Sequence, residues 1–267
     1  MAELAPEVPD PSTAPEEELV AAMFEMIGHP DYPCLGARSV FRRDRATIRV
    51  YDELAGPDVA PKLLHDLREF AEGVDLDEGF ASFIAVFRGP GIADEKEFER
   101  LLWAQLRDVH AEDEEPWAPD VSADPNDQHF AFSAAGTPYF VVGLHPQASR
   151  DARRAAVPTL VFNLHAQFEE LRASGQYHRM RDLIRDRDEQ LQGTVNPMVS
   201  DHGTVSEARP YAGREVGTSW EAPFEPTPDA LEQSASGSPG SAGRAASAGR
   251  EAGGASIDHA LEREERA

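Results

Sequence analysis

The chain has 267 residues and carries 49 acidic against 25 basic side chains, which gives a formal net charge of −24. This charge disfavours binding to nucleic acid or to an anionic membrane surface, because attraction to phosphate needs a basic surface. A single cysteine excludes an internal disulfide framework. The sequence has no apolar run long enough to span a membrane and no basic segment followed by an apolar one at its start. We therefore expect a cytoplasmic protein.

The two ends of the sequence have the composition of disordered segments. Residues 1–15 are acidic and rich in proline, and residues 226–267 are dominated by Ala, Gly and Ser. Such segments bury too little apolar surface to offset their ordering entropy, so we predict one folded domain over residues 16–225. The last residues, 257–267, have the pattern of a short charged helix that nothing anchors.

Helical and strand patterns alternate within the predicted domain. A capping-box pattern at Thr13–Glu16 opens an amphipathic helix that stops near Gly28. Apolar spacing of three and four residues predicts further helices at 60–71, 94–110, 165–173 and 177–191. Apolar and alternating runs predict strands at 46–51, 80–87, 130–133, 139–144 and 159–162, with a hairpin turn at 134–138. This order predicts an α+β fold, a single domain with a mixed or antiparallel sheet packed by helices.

The only cysteine, Cys34, lies in the run YPCLGAR at residues 32–38. Pro33 stiffens the approach, and Gly36 lets backbone N–H groups turn towards the sulfur. Such donors, with Arg38 nearby, would stabilise a thiolate, and a thiolate held in this way is suited to a haem iron. The alternative is a buried structural thiol, which is the commoner fate of a free cysteine.

Two histidines each follow a predicted apolar strand without a break, His145 after the first and His165 after the second. Asn163 and Gln167 flank the second histidine. Because strand ends commonly present functional side chains, these residues form a candidate site. A structural hydrogen-bonding role is the alternative for each histidine.

Arginines cluster after the first of these histidines, at positions 150, 153 and 154 of an otherwise acidic chain. The guanidinium fork suits carboxylates, of which haem propionates are one example, whereas the alternative is a solvated face paired with Asp and Glu. The polar stretches 191–198 and 206–214 are irregular, and long loops in a compact domain are often functional.

These residues do not by themselves fix a reaction. Zinc is disfavoured, because the sequence has no regular Cys or His ligand spacing. A nucleophilic enzyme remains an alternative, with Cys34 attacking, His145 or His165 as its base, and Asn163 as the orienting residue.

Several blocks of the sequence, taken in order, resemble the YqcI/YcgG family. They are PCLGAR (33–38), YFVVGLHPQASR (139–150), LVFNLHAQF (160–168), NPM (196–198), SEAR (206–209), YAGR (211–214) and WEAPF (220–224). Together they span most of residues 28–225, which is far more specific than any single motif. One departure is Ala222, where the family often has a cysteine before the final Pro-Phe.

The resemblance implies a function. Family members of known activity are haem-dependent N-hydroxylases that oxidise the guanidine group of arginine or an arginine-like compound. The resemblance therefore implies haem b, with O2 and an electron donor or with peroxide, a small guanidine-containing substrate and a redox partner. A haem-binding protein without catalysis, and a haem-free cysteine-dependent enzyme, are the alternatives.

The resemblance also implies residue roles at the cofactor. We expect Cys34 to ligate the iron, because thiolate ligation favours O–O cleavage, and His145 is the alternative ligand. Further cofactor contacts are expected from Gly36, Arg38, Ser149, Arg150 and Arg214, whose arginines would hold propionates.

Other residues are expected near the substrate. His165, Gln167 and Asn163 are candidates for the distal pocket or for proton donation. Glu207 is the expected partner of the substrate guanidinium, because a buried cation must be paired.

Overall fold

A five-stranded sheet forms the centre of the fold in the computed structural model, which describes residues 4–198, 206–217 and 219–236. The strands lie in the order β1-β2-β5-β4-β3. They are β1 (Ala46–Glu53), β2 (Ser82–Gly89), β3 (Phe132–Ala134), β4 (Thr137–Leu144) and β5 (Thr159–Leu164). β1 and β2 are parallel, and the other neighbouring pairs are antiparallel. The predicted α+β fold with a mixed sheet is therefore confirmed.

Helices cover both faces of this sheet. Those of the described residues are α1 (Glu16–Gly28), α2 (Leu35–Arg42), α3 (Val59–Gly73), α4 (Glu95–Glu112), α5 (His165–Ala173), α6 (Tyr177–Gln192) and α7 (Pro228–Ser236). Short 3₁₀ turns lie at Leu76–Glu78, Asp151–Arg153 and Arg209–Ala212. Within the ranges that the structure describes, no helix is long and apolar enough to cross a membrane.

Side-chain alternation along the strands separates two apolar layers. One layer packs the odd-numbered residues of β2 and β4 against α3 and α4. The other layer carries Ile84, Val142, Leu144 and Val161 towards α1 and α2. In the antiparallel pair, Val142 of β4 lies opposite Val161 of β5, so their side chains share this second face.

The helix that was predicted from a capping box begins at the expected place for a different reason. α1 starts at Glu16 after Pro15, with no side-chain cap. The Thr13 hydroxyl instead donates to the Asp10 carboxylate at 2.9 Å, so the capping-box prediction is wrong. By contrast, the Asp94 carboxylate caps α4 by accepting the backbone N–H of residue 97 at 2.8 Å.

The folded domain extends beyond the predicted limits on both sides. Leu4 and Val8 are buried in the layer beside α1, and the Arg88 guanidinium donates to the carbonyl of Pro11 at 3.1 Å. At the other end, Ala230 of α7 is buried in the layer beside α4. Parts of 4–15 and 228–236, whose average composition is polar, thus contribute a few apolar residues to the packed layers. Residues 237–267, with the helix predicted at 257–267, lie outside the described residues.

Candidate functional site

A cavity of about 300 Å³ lies between the sheet and helices α1, α2, α5 and α6. Its sheet-side wall consists of residues that face the second layer, among them Ile84, Val142 and Val161. Ile27, Phe41 and Met180 close it from the helices. Cavities of this size with mostly apolar walls and a few polar groups are typical of small-molecule sites.

Cys34 lies in the wall of this cavity, half-buried, as the N-cap residue of α2. Its Sγ accepts the backbone N–H of Ala37 at 3.5 Å. The expected N–H donor to the sulfur is therefore present, but it comes from the first turn of a helix that sequence reasoning missed. Gly36 is part of that helix and also lines the cavity. Because a helix N-terminus carries partial positive charge, this position stabilises negative charge on the sulfur.

Arg153 interacts electrostatically with Cys34. It lines the cavity and donates through Nη1 to the carbonyl oxygens of Gly143, at 3.3 Å, and Pro210, at 3.0 Å. Burial lowers the pKa of Arg153, while Tyr32, Asp188 and Cys34 act in the opposite direction by attracting its charge. Sequence reasoning noted Arg153 only as a member of a cluster and assigned it no role.

Arg150 does not line the cavity; it forms an ion pair with Asp188 near the end of α6. It also donates to the Thr194 hydroxyl at 2.9 Å. Asp188 does line the cavity, and it accepts the backbone N–H of Asn196 at 2.9 Å. Burial raises the pKa of Asp188, and Arg150 opposes that shift. Arg150 therefore fixes the chain after α6, and the carboxylate it holds is the group that reaches the cavity.

The other expected cofactor residues do not line the cavity either. Arg38 donates to the Pro30 carbonyl at 3.3 Å, and the backbone N–H of the exposed Ser149 donates to a carboxylate oxygen of residue 95 at 2.9 Å. Arg214 pairs with Glu99 of α4, with Nη2 and Oε2 2.7 Å apart. Of the predicted cofactor contacts, the cavity thus brings together Cys34 and Gly36.

His145 lies on the opposite side of the sheet from Cys34. It follows β4 in the odd-numbered register and stacks on Phe98 of α4, with ring centroids 4.2 Å apart. It is fully buried, and burial lowers its pKa to about 4. The structure therefore does not bring His145 and Cys34 together, either as alternative ligands of one iron or as a nucleophile and its base.

Of the candidate residues at the end of β5 and the start of α5, one lines the cavity and two support the surrounding structure. Asn163 lines the cavity, and its Oδ1 accepts the Ser82 hydroxyl at 2.7 Å. Gln167 instead binds the backbone of Ala81, accepting its N–H at 2.5 Å and donating to its carbonyl at 2.9 Å. His165 is buried but does not line the cavity. Of the predicted distal residues, Asn163 is the one in contact with the cavity.

Glu207 reaches the cavity beside α5, where Arg172 bridges two carboxylates. Arg172 Nη2 lies 3.3 Å from Glu207 Oε1, and its Nη1 pairs with Glu169. His165 Nε2 lies 3.7 Å from the same Glu169 carboxylate. Burial lowers the pKa of His165, and the charges of Glu169 and Glu207 oppose that shift.

These polar groups lie at different positions along β4. Arg153 contacts the carbonyl of Gly143, near the end of the strand, whereas α5 contacts Phe140 through Phe168, with ring centroids 5.5 Å apart. Residues 140 and 143 are about 10 Å apart along an extended strand. The cavity therefore has Cys34, Arg153 and Asp188 in one group, near the end of β4. The Arg172–Glu207 ion pair forms a second group, nearer the middle of the strand.

Comparison with known proteins agrees with the resemblance seen in the sequence. YcgG of Bacillus subtilis (strain 168), an uncharacterized protein, is 28% identical over 180 residues, which cover 64% of this chain and 71% of the relative. YqcI of the same organism, also uncharacterized, is 28% identical over 172 residues, covering 61% of this chain and 67% of the relative. No solved structure matches. A model of the YqcI/YcgG family matches residues 23–225, and the chain therefore belongs to that family.

Proposed function

We propose that this protein is a cytoplasmic haem-dependent oxygenase that hydroxylates a guanidine nitrogen of arginine or an arginine-like small molecule. The observation that carries the proposal is the position of Cys34: the only thiol of the chain caps the N-terminus of α2 and lies in the wall of a largely apolar cavity. Family resemblance supplies the reaction class, and the cavity supplies residues of the right chemistry.

The residues around the cavity fit a haem b. Apolar side chains of the sheet and helices suit the macrocycle, and Cys34 offers a thiolate for the iron. Arg153 lines the cavity and would hold a propionate in place of Arg38, Arg150 and Arg214, which do not line it. When bound, haem supplies the activation of O2, with electrons from a donor, or of peroxide.

The protein's own contribution is to hold and orient the substrate. Glu207 would pair with the guanidinium, because a cation that leaves water needs a countercharge. Asn163 also lines the cavity and offers its side-chain amide as a further polar contact. The apolar walls exclude bulk water and thereby strengthen the interaction between the guanidinium and Glu207.

The absorption spectrum of the purified, reduced protein under carbon monoxide tests this proposal. Thiolate ligation by Cys34 predicts a band at about 450 nm, whereas histidine ligation gives one at about 420 nm. Guanidine-dependent consumption of O2 or peroxide, with formation of an N-hydroxylated product, is the second expected result. Full haem loading without turnover of any guanidine would identify a non-catalytic haem protein. A colourless protein that alkylation inactivates would identify a cysteine-dependent enzyme.

A further inference from the structure

The carboxylate assigned to the substrate already holds a guanidinium that belongs to the protein itself. Arg172 and Glu207 both line the cavity, and their side chains form an ion pair. We propose that Arg172 occupies the place of the substrate guanidinium at Glu207 and is displaced when a cationic ligand binds. This inference rests on the proposed function, because it takes Glu207 as the carboxylate that receives the substrate.

The Arg172 guanidinium can move away from Glu207 by a short distance and keep its other contacts. Its Nη1 already pairs with Glu169, whose side chain is 54% exposed, compared with 12% for Glu207. Its guanidinium carbon also lies 5.3 Å from the ring centroid of Tyr177, within the range of a cation–π contact. Arg172 can therefore leave Glu207 while keeping one carboxylate and one aromatic partner.

The exchange keeps a cation beside the carboxylate of Glu207, whose side chain is largely buried. An unpaired carboxylate at this depth is costly, so Arg172 stabilises Glu207 when no ligand is present. A guanidinium ligand replaces one cation by another, whereas a neutral analogue of the same shape cannot displace Arg172. The pair would thus act as a specificity device that rejects uncharged molecules.

Isothermal titration calorimetry on the full-length chain, as purified and after haem loading, tests the exchange with L-arginine and its neutral isostere L-citrulline. Arg172→Met removes the competing guanidinium but keeps an apolar stem beside Tyr177. We expect it to bind L-arginine about tenfold more tightly, with no change for L-citrulline. Arg100→Met, an exposed arginine of α4, removes the same net charge and should leave both affinities unchanged.

A change of opposite sign provides an independent check. Glu169→Gln removes the carboxylate that Arg172 would keep on leaving Glu207 and should weaken L-arginine binding about threefold. Equal affinity of Arg172→Met and the unaltered chain would overturn the exchange while leaving the proposed function standing. Tighter binding of L-citrulline as well would show a loosened cavity and would also overturn it. Absence of L-arginine binding in every variant would overturn both the exchange and the role of Glu207.

Discussion

The imidazole of His145 lies against the ring of Phe98, with centroids 4.2 Å apart and planes inclined by 21°. The contact joins the end of β4 to α4 in the core, on the face of the sheet away from the cavity. Burial there disfavours the imidazolium and lowers the pKa of His145 to about 4 from an ordinary value of 6.5.

The depressed pKa of His145 predicts acid sensitivity. Between pH 6.5 and 4 the unfolded chain binds a proton at this site that the folded protein does not, so the free energy of unfolding falls as pH falls. The full loss across this window is about 3 kcal/mol. Urea unfolding at pH 7 and pH 5 should show about 2 kcal/mol of this loss, and His145→Phe should remove this pH dependence. If the free energy of unfolding of His145→Phe depends on pH as steeply as that of the unaltered chain, the assignment to His145 is contradicted. The matched control is His65→Gln, on the exposed face of α3.

The thiol of Cys34 can be replaced without removing the helix cap. Serine is a good N-cap residue, so Cys34→Ser should keep the fold while losing the soft ligand. We expect Cys34→Ser to lose the absorption band of the carbon monoxide complex at about 450 nm and to bind haem at least tenfold more weakly. Ser39→Ala on the same helix should retain both. An unchanged spectrum in Cys34→Ser would show that another residue ligates the iron.

Substituting Glu207 should weaken binding of the substrate but not of the cofactor. Glu207→Gln keeps the shape but removes the countercharge, so KM for the guanidine substrate should rise about tenfold or more while haem content stays unchanged. Steady-state kinetics with parallel haem quantification measure both quantities. Glu215→Gln, an exposed neighbour, should behave like the unaltered chain. Unchanged KM and turnover in Glu207→Gln would refute the role.

The close contact of Gly143 with α4 predicts a steric effect on stability. A Cβ at Gly143 would lie 2.5 Å from Phe98 Cε1 and 2.8 Å from Leu102 Cδ1. Gly143→Ala should therefore lower the free energy of unfolding by about 1–3 kcal/mol, because the packed core has no room for the methyl group. Gly73→Ala meets nothing within 4 Å and is the control for thermal or urea unfolding. Similar stability of the two variants would contradict the packing.

The buried ion pair of Asp188 predicts a further loss of stability. Asp188→Asn leaves Arg150 without its carboxylate and should cost about 2–3 kcal/mol, whereas the exposed Asp186→Asn should cost little. Denaturant unfolding of both variants measures the difference. Equal losses would show that the pair does not fix the end of α6.

The fold was largely predictable from apolar spacing, and the exceptions have physical causes. α4 and α6 are long and strongly periodic, so their existence and approximate bounds follow from sequence. α2 was missed because its eight residues, which include Gly36, are too few to show a period. α7 was missed because its composition is polar, although Ala230 anchors it in the core.

The candidate site was predictable in its residue types but only partly in their arrangement. Cys34, Asn163 and Glu207 do line one cavity. Arg150 and Arg153 are three positions apart in an irregular segment, and nothing in a single sequence indicates which of them faces inward. The alternation along β4 was a signal that could have separated His145 from the residues facing Cys34, but it does not reveal which face carries a cavity.

The alternation of β4 also has an evolutionary consequence. Phe140, Val142 and Leu144 face the cavity, while Tyr139 and Val141 build the opposite core. A single-residue shift in strand register would exchange these two sets and bring His145 to the side of Cys34. Substitutions at Val142 and Leu144 can therefore change what the cavity accepts without altering the layer that packs against α3 and α4. One short strand thus partly separates the evolution of ligand preference from that of the main core.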